Sequence, residues 1–306
     1  MNNFIQIIFY FFFLFLILSL SIEQLKKHFA DIPNKRSSHK LIKPKSGGFI
    51  FGLNSLLAFF RSLDILFLIS IPLSLVGLID DKFNLPRYIR FISQIITIFL
   101  ILLFSYDVSF FSIQYKFLLF PILILFGTSI INFTNFMDGI DGIVAGCFFV
   151  IFISGSILVS QSYIPICISL FVFILFNWHP SRIFMGDVGS TFLGAMLFTL
   201  LMQSKSLNIF FGIICMSSPL MMDALVCLIR RFISRKNIFS PHRDHLYQRL
   251  CDNNIKQSYI ASIYILSTFI IAISYLFLGL LYALIIVFLI PFIGIYLDKK
   301  FALDYY

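Results

Sequence analysis

The sequence predicts an all-α, polytopic membrane protein with about 10–11 transmembrane helices. Hydrophobic residues make up 59% of the 306 residues, charged residues make up only 12%, and the mean hydropathy is +0.97. A soluble domain carries about twice that share of charged residues. Apolar runs long enough to cross a bilayer recur from end to end, and no Gly/Ser-rich or Pro-rich linker separates them. We therefore expect one integral-membrane domain that covers residues 1–306.

Eleven apolar runs are the candidate spans. They are Phe4–Ile22, Gly47–Phe60, Ile65–Ile79, Phe91–Phe104, Phe117–Ile131, Ile143–Ser160, Ile164–Phe176, Thr191–Met202, Ile209–Ile229, Tyr259–Phe277 and Gly279–Leu297. The first run has neither a basic leader nor a small-residue cleavage site, which favours a retained span over a cleaved signal peptide.

The distribution of Lys and Arg orients the chain in the bilayer. With the N-terminus outside, 20 of the 23 Lys and Arg residues fall in cytoplasmic segments, and only Arg61, Lys116 and Lys205 fall outside. This asymmetry follows the positive-inside rule, so we expect a periplasmic N-terminus. Topology therefore accounts for the net charge of +9. Attraction to anionic lipid or to a polyanionic substrate is a second interpretation, and nucleic acid is not an expected partner.

The five cysteines give no sign of a disulfide or a metal site. They are scattered along the chain, four of them in apolar runs, and none forms a CxxC pair or a Cys/His cluster with zinc spacing. We expect them to be buried apolar side chains without disulfides.

The most polar interruption of the apolar pattern is the segment 132–142, which lies between two spans. It contains Asn135, Asp138 and Asp141, with glycines after both acids. If the segment is helical, the spacing of three residues places these side chains on one face. Such oxygen ligands suit Mg²⁺ or Mn²⁺. A polar turn would explain the glycines but not both acids, so we expect a functional site at the membrane rim.

A second constellation is the pair Asp80–Asp81, which is followed by Arg90. Adjacent carboxylates at a helix end can hold a divalent cation, or one can act as a base whose pKa is raised by its neighbour. A solvated helix end is the alternative interpretation.

The third constellation runs from Asn177 to Ser190. Gly186 and Gly189 flank Asp187 immediately before a span. Because the N-terminal end of a helix dipole favours anions, this segment could form a cradle for a phosphate or a metal.

The fourth constellation contains His242, Arg243 and His245 in a loop near the C-terminal end of the chain. Such a cluster can clamp a diphosphate, with Arg making paired contacts. A positive-inside anchor would not explain two histidines three residues apart. A zinc site is not expected, because no third or fourth ligand lies near the histidines in sequence. Asp223 is an intramembrane acid seven residues before Arg230, which leaves a structural pair and a catalytic role both open.

Taken together and in this order, these segments resemble the polyprenyl-phosphate N-acetylhexosamine-1-phosphate transferases. That family includes phospho-MurNAc-pentapeptide transferase and the enzymes that start O-antigen and common-antigen synthesis. The matching segments are Asp31-x-Pro-Asn-x-Arg-Ser-x-His39, Asp80-Asp81, Asn135-x-x-Asp138-Gly-x-Asp141-Gly, Phe184-Met-Gly-Asp187-x-Gly-Ser190 and the histidine loop Ser240–Leu250. The loop looks most like the branch that initiates O-antigen or capsule glycans. It lacks the three successive histidines typical of the peptidoglycan enzyme, which argues against lipid I synthesis. Arg90 stands where many members have Lys.

The resemblance implies transfer of an N-acetylhexosamine-1-phosphate, or of its deoxy form, from a UDP-sugar to undecaprenyl phosphate at the cytoplasmic face of the bacterial inner membrane. The reaction would release UMP and would depend on Mg²⁺, with Mn²⁺ as a substitute. The implied catalytic residues are Asp80, Asp81, Asp138, Asp141, His242 and His245; the implied substrate-binding residues are Arg36, His39, Arg90, Asn135, Asn177 and Arg243; the implied metal ligands are Asp187 and Asn135.

Three alternatives stay open at this point. A peptidoglycan-type phospho-MurNAc-pentapeptide transferase would use the same chemistry with another donor. A CDP-alcohol phosphotransferase would require an Arg that the segment after Asp138 lacks. A secondary transporter would place its polar groups near the bilayer midplane, whereas here they gather on one side. The resemblance also suggests a homodimer, and it does not distinguish among closely related hexosamines.

Overall fold

The computed structural model describes residues 2–33, 41–105, 113–237, 240 and 242–302. This part of the chain forms thirteen α-helices and one short β-ribbon. The helices are α1 (Asn2–His28), α2 (Phe49–Ser62), α3 (Leu66–Ile69), α4 (Ile71–Phe83), α5 (Arg87–Phe104), α6 (Ile113–Met137), α7 (Ile143–Leu158), α8 (Ile164–Asn177), α9 (Asp187–Met202), α10 (Leu207–Ile233), α11 (Leu246–Asp252), α12 (Gln257–Leu278) and α13 (Leu280–Phe301). A 3₁₀ turn, Gln161–Tyr163, precedes α8.

The prediction of an all-α polytopic membrane protein is confirmed. Among the described residues, six helices are long and apolar enough to cross a bilayer: α1, α5, the Leu119–Met137 part of α6, α10, α12 and α13. The described residues also form four shorter apolar segments: α2, α7, the 3₁₀ turn together with α8, and α9. The predicted span Ile65–Ile79 is divided into α3 and α4, and α4 continues to Phe83. Asp80 and Asp81 therefore lie inside a helix.

Helix α9 forms the centre of the bundle. Every residue of α9 from Val188 to Met202 is buried. A helix that is apolar on all sides requires neighbours on all sides, and α9 contacts α2, α4, α5, α6 and α10. Glycine makes the closest of these contacts possible, because a Cβ atom at Gly194 would lie only 2.7 Å from the Cα atom of Ile131 in α6. The helices α1 and α13 lie at the periphery and present apolar side chains outward.

The β-ribbon brings the first of the predicted cytoplasmic loops against the centre of the bundle. Strand β1 (Ala30–Asp31) pairs antiparallel with β2 (Lys43–Pro44), with Ala30 opposite Pro44. The segment between β2 and α2 contacts the loop that precedes α9: the amide of Gly47 donates to the carbonyl of Phe184 (2.9 Å). The ribbon thus places the residues after β2 beside the start of α9.

The loops that the sequence assigns to the periplasm also meet one another. The Tyr163 hydroxyl donates to Gln203, and the Gln203 amide donates to Asp64 at 2.5 Å. These three residues come from three different connections. The grouping of the loops agrees with the predicted threading, while the absolute orientation stays a prediction.

Candidate active site

A polar cavity of about 280 Å³ lies where the predicted cytoplasmic loops converge on the first turn of α9. Its lining carries five carboxylates and two basic side chains, drawn from several segments of the chain. The acids are Asp31, Asp81, Asp138, Asp141 and Asp187, and the basic residues are Lys45 and Arg243. A pocket with this excess of acids can receive a polyanion only when cations accompany it.

Asp81 fixes the N-terminus of α9. The residue before α9, Gly186, has a φ of 73° and provides no side-chain cap. The Asp81 carboxylate instead accepts the amide N–H of Asp187 at 3.0 Å and that of Val188 at 3.5 Å. It also accepts the Ser46 hydroxyl at 2.7 Å. Asp81 therefore caps a helix that is distant in sequence, and it satisfies amides that would otherwise lack partners.

This arrangement requires glycine at position 186. A Cβ atom there would lie 2.4 Å from the Asp81 carboxylate and 2.8 Å from the Ser46 amide nitrogen. The positive φ adds strain for any other residue. The glycine before Asp187 thus serves the close approach of α4 to α9.

Asp187 is the first residue of α9 and is held from two sides. The Asn135 amide of α6 donates to Asp187 Oδ1 at 2.8 Å and to the Ser190 hydroxyl at 2.9 Å. Arg90 of α5 lies 3.4 Å from Asp187 Oδ2 and 2.9 Å from the Asp80 carboxylate. The guanidinium therefore links two acids, one of which lines the cavity.

Asp138 is the acid of the cavity with the fewest attachments. Helix α6 ends at Met137, and Asp138 and Asp141 lie in the turn that follows, so they do not share a helix face. Among the described residues, the Asp138 carboxylate has no hydrogen-bond or ion-pair partner. Burial, together with the negative charges of Asp187, Asp81 and Asp141, raises the pKa of Asp138 to about 8. A cation bound beside this carboxylate would remove that penalty.

Asp141, in contrast, is fully engaged within the protein. Its carboxylate accepts the Ser181 hydroxyl at 2.8 Å and the Ser181 amide at 3.1 Å, and it lies 2.8 Å from His179 Nδ1. Lys43 lies 3.7 Å away. Its own amide N–H donates to the side chain of Gln257 at 2.9 Å. Asp141 therefore holds the turn after α6 against the loop after α8.

Asn177 also joins the turn after α6 to the loop after α8. Its side-chain oxygen accepts the amide of Gly142 at 2.9 Å, and its side-chain nitrogen donates to the carbonyl of Ile183 at 2.8 Å. Both Asn177 and Asp141 line the cavity, but their polar atoms bind neighbouring loops.

The histidine loop contributes Arg243 to the cavity, where its guanidinium pairs with Asp252 at 2.6 Å and 3.0 Å. His242 and His245 do not line the cavity; they face α10. Burial, His245 and Arg231 lower the pKa of His242 to about 4. The imidazole of His242 is therefore neutral near pH 7 and supplies no positive charge for a diphosphate.

The structure thus gathers most of the predicted site residues around one cavity. Seven of them line it: Asp81, Asn135, Asp138, Asp141, Asn177, Asp187 and, from the histidine loop, Arg243. Asp80 and Arg90 lie beside it, and Arg36 and His39 lie outside the described residues. Sequence reasoning overlooked Lys45, Ser46 and Gln257. The adjacent glycines at positions 47 and 48 are a signal that could have pointed to Lys45 and Ser46. Nothing in the sequence distinguished Gln257 from other polar residues at a helix start.

The donor set of the cavity fits a hard cation that retains water. Among the described residues, the cavity acids do not form a group of three whose oxygens lie within 4.8 Å of one another. Mg²⁺ is bound through one or two carboxylates, with waters and substrate phosphates completing its shell. Asp187, and Asp138 with no partner in the described part of the chain, are suited to this kind of binding.

Comparison with known proteins identifies the family. Residues 63–205 match the family described as Glycosyl transferase family 4. A phospho-N-acetylmuramoyl-pentapeptide-transferase of Dictyoglomus thermophilum is 33% identical over 68% of this chain and 76% of the relative. The chain belongs to this family of polyprenyl-phosphate hexosamine-1-phosphate transferases. The family and the apolar helices make it a multi-pass protein of the bacterial inner membrane.

Two further relatives carry the name of a different branch. A probable undecaprenyl-phosphate N-acetylglucosaminyl 1-phosphate transferase of Bacillus subtilis is 27% identical over 80% of this chain and 75% of the relative. An undecaprenyl-phosphate alpha-N-acetylglucosaminyl 1-phosphate transferase of Thermotoga maritima is 29% identical over 75% of this chain and 76% of the relative. The family match covers Asp81, Asn135 and Asp187, and it ends before the histidine loop.

Proposed function

We propose that this protein transfers an N-acetylhexosamine-1-phosphate, or the deoxy form, from a UDP-sugar to undecaprenyl phosphate, releases UMP and so initiates a cell-envelope glycan such as an O-antigen. The observation that carries the proposal is the polar cavity, in which five carboxylates face two basic side chains at the end of an apolar bundle. Such a site suits two phosphate-bearing substrates that bind together with a divalent cation. One of the two substrates would have its isoprenoid tail in the bilayer. The relatives named above support the acceptor and the transferred group.

Asp187 and Asp138 are the proposed ligands for Mg²⁺, or for Mn²⁺ in its place. Asn135 belongs to the surrounding shell, because its amide holds Asp187 Oδ1 at 2.8 Å and leaves the second oxygen toward Arg90 and the cavity. When bound, Mg²⁺ would neutralise and orient the phosphates.

The protein groups position the two substrates for displacement at phosphorus. A phosphate oxygen of the lipid attacks the β-phosphorus of the donor, the bond from that phosphorus to the oxygen of the α-phosphate breaks, and UMP leaves with the bonding electrons. The bond between the sugar and its phosphate is not broken, so the anomeric configuration is retained. Phosphoryl transfer of this kind depends mainly on positioning and charge neutralisation.

Asp81 and Asp80 take different parts in this proposal. Asp81 faces the cavity, but its oxygens are occupied in capping α9, so it maintains the geometry of Asp187. Asp80 keeps Arg90 beside Asp187 through a 2.9 Å ion pair. Lys45 and Arg243 are the basic side chains in the cavity lining, and they are the groups proposed to contact the substrate phosphates.

The test is a lipid-product assay with the full-length protein. Membranes containing the protein receive undecaprenyl phosphate, Mg²⁺ and a panel of UDP-N-acetylhexosamines, and mass spectrometry identifies the lipid product. We expect one donor to yield an undecaprenyl diphospho-sugar and an equivalent of UMP. Asp187→Asn should lower turnover by at least about a hundredfold, whereas Asp64→Asn, an acid at the opposite end of the bundle, should not. The absence of a Mg²⁺-dependent lipid product with every UDP-N-acetylhexosamine would refute the proposal.

A second candidate is the peptidoglycan reaction, which the 33% identity to the Dictyoglomus thermophilum relative favours. UDP-MurNAc-pentapeptide is therefore included in the panel. A product from this donor alone would assign the protein to that branch and would leave the proposed phosphorus chemistry unchanged.

A further inference from the structure

The two histidines that face away from the active-site cavity meet a cysteine of α10. The Cys227 sulfur lies 4.0 Å from His242 Nδ1, and the rings of His242 and His245 stack with their centroids 5.2 Å apart. The potential ligand atoms of Cys227, His242 and His245 all lie within 4.8 Å of one another. Among the described residues, this is the sole group of three His, Cys or acidic side chains that meets this distance.

We propose that Cys227, His242 and His245 form a binding site for Zn²⁺, separate from the Mg²⁺ site of the active-site cavity. Thiolate and imidazole are the donors that zinc prefers. In a tetrahedral zinc site the ligand atoms are separated by about 3.3–3.8 Å. Small side-chain adjustments would bring the ligand atoms of Cys227, His242 and His245 to these separations. Cys227 also lines a second cavity, of about 290 Å³. That cavity reaches the Cys227 side of the cluster, where a water would serve as the fourth ligand.

The surroundings of the cluster match the charge of the ion. Arg231 and Asp244 form an ion pair beside it. The buried Asp223 carboxylate lies 3.7 Å from His245 Nδ1, a buried nitrogen to which the described part of the chain offers no hydrogen-bond partner. The two charges of Zn²⁺ would be balanced by the Cys227 thiolate and the Asp223 carboxylate. A carboxylate behind a ligating histidine is the usual outer-shell partner of a zinc site.

The proposed role of the ion is to hold the histidine loop against α10. Arg243 lies between the two ligating histidines and reaches the active-site cavity. Tyr247, just beyond them, donates its hydroxyl to the carbonyl of Phe136 at 2.8 Å, next to the turn that carries Asp138. Holding both histidines in place therefore also holds Arg243 in the lining of the active-site cavity. Their proposed role is to position Arg243, in contrast to the diphosphate clamp that the sequence of the loop predicted and to the catalytic role that the resemblance implied.

Metal analysis of the purified full-length protein tests the proposal. The protein is stripped with a chelator, reloaded with Zn²⁺ and analysed by mass spectrometry for bound metal; we expect one zinc per chain. Reloading with Co²⁺ should give the charge-transfer absorption of a cobalt–thiolate bond. Cys227→Ser should abolish that band, while Cys215→Ser, a buried cysteine of the same helix outside the cluster, should retain it. Asp223→Asn should weaken zinc binding by about 10–100-fold.

Two further variants separate the possible outcomes. His242→Ala changes a partly exposed residue and should lose zinc even if Cys227→Ser fails to fold. Asp187→Asn should keep its zinc, which distinguishes this site from the active-site metal. Less than stoichiometric zinc in the wild-type protein, or equal cobalt spectra for Cys227→Ser and Cys215→Ser, would overturn the proposal. Neither result depends on whether the transferase reaction is found.

Discussion

At the scale of single residues, the acids of the cavity differ in how many bonds the protein makes to them. Asp81 and Asp141 each accept several hydrogen bonds from other segments. Asp138 has no such partner among the described residues. Its pKa is raised because burial and the neighbouring acids destabilise its charged form. The acids with the most protein partners hold loops in place, and the acid with the fewest is the one most open to a ligand.

The raised pKa of Asp138 predicts how metal affinity depends on pH. Its folded value of about 8 lies above the ordinary value of 3.8, so the metal-free protein carries a proton there near neutral pH. Mg²⁺ must displace that proton, and burial together with Asp80 and Asp81 raises the pKa of Asp187 as well. The affinity for Mg²⁺ should therefore rise by at least about tenfold per pH unit up to about pH 8 and then level off. Calorimetric Mg²⁺ titrations of the purified protein between pH 6 and 9 measure this slope. Asp138→Asn should bind Mg²⁺ weakly and with a shallower dependence on pH, which Asp187 alone would then produce; a slope equal to that of the wild type would contradict the assignment.

Arg90 provides a second prediction at this scale. Its guanidinium bonds to both Asp80 and Asp187, and a hydrogen bond to a charged group contributes about 1.5–3 kcal/mol. Arg90→Ala should therefore lower kcat/KM by about 10- to 100-fold, which steady-state assays of the lipid product would measure. Arg87→Ala, at an exposed residue one turn earlier on α5, should stay within about twofold of the wild type. Equal effects of the two substitutions on kcat/KM would show that activity depends on positive charge alone and not on the link that Arg90 makes between Asp80 and Asp187.

At the scale of elements, the contact between α4 and α9 determines where the site forms. Gly77 lies on α4 directly against the backbone of Asp187, and Ser74 donates to the carbonyl of Val188 at 2.9 Å. With Asp81 capping the same turn, α4 holds the first turn of α9 by backbone and side-chain contacts together. Small residues permit this close approach.

Gly77→Ala should therefore disturb both stability and activity. A Cβ atom at Gly77 would lie 2.5 Å from the carbonyl oxygen of Asp187, so α9 would have to shift. We expect a loss of about 1–3 kcal/mol, seen as a lower apparent Tm in detergent, together with reduced turnover. The control is Gly52→Ala in α2, where the nearest atom lies 3.7 Å away. That substitution should be neutral or mildly stabilising, and similar losses in both variants would refute the contact argument.

At the scale of the whole molecule, the loops separate into a polar group around the cavity and a sparse group at the other end. Asp64, Tyr163 and Gln203 connect the sparse group. The positive-inside asymmetry assigns the sparse group to the periplasm. A nucleotide-sugar donor, which is made in the cytoplasm, would then reach the cavity directly.

Cysteine labelling in intact cells tests this orientation. Lys205→Cys and Lys256→Cys each place a thiol at an exposed position, in the predicted periplasmic and cytoplasmic loops respectively. A membrane-impermeant maleimide should label the first in intact cells and the second only after permeabilisation. The unsubstituted protein, with its native cysteines, provides the background. The opposite pattern would reverse the threading and place the cavity outside.

The sequence by itself determined the fold class, the apolar segments and most of the acids of the site. Hydropathy and charge are properties of contiguous residues, so the bilayer constraint can be read without knowing any contact. The short polar segments stood out for the same reason. Asn135, Asp138 and Asp187 were singled out because polar and ionisable side chains are rare beside so much apolar sequence.

Only the tertiary structure decided which of those residues share a wall of the cavity and what each one holds. Asp81 caps a helix that begins 106 residues later, and no local pattern distinguishes it from Asp80, whose partner is Arg90. The same limit hid Cys227, which lies in an apolar helix and meets the histidine loop only through packing. Helix ends and loop conformations depend on contacts between distant segments, and a one-dimensional pattern carries no information about those contacts.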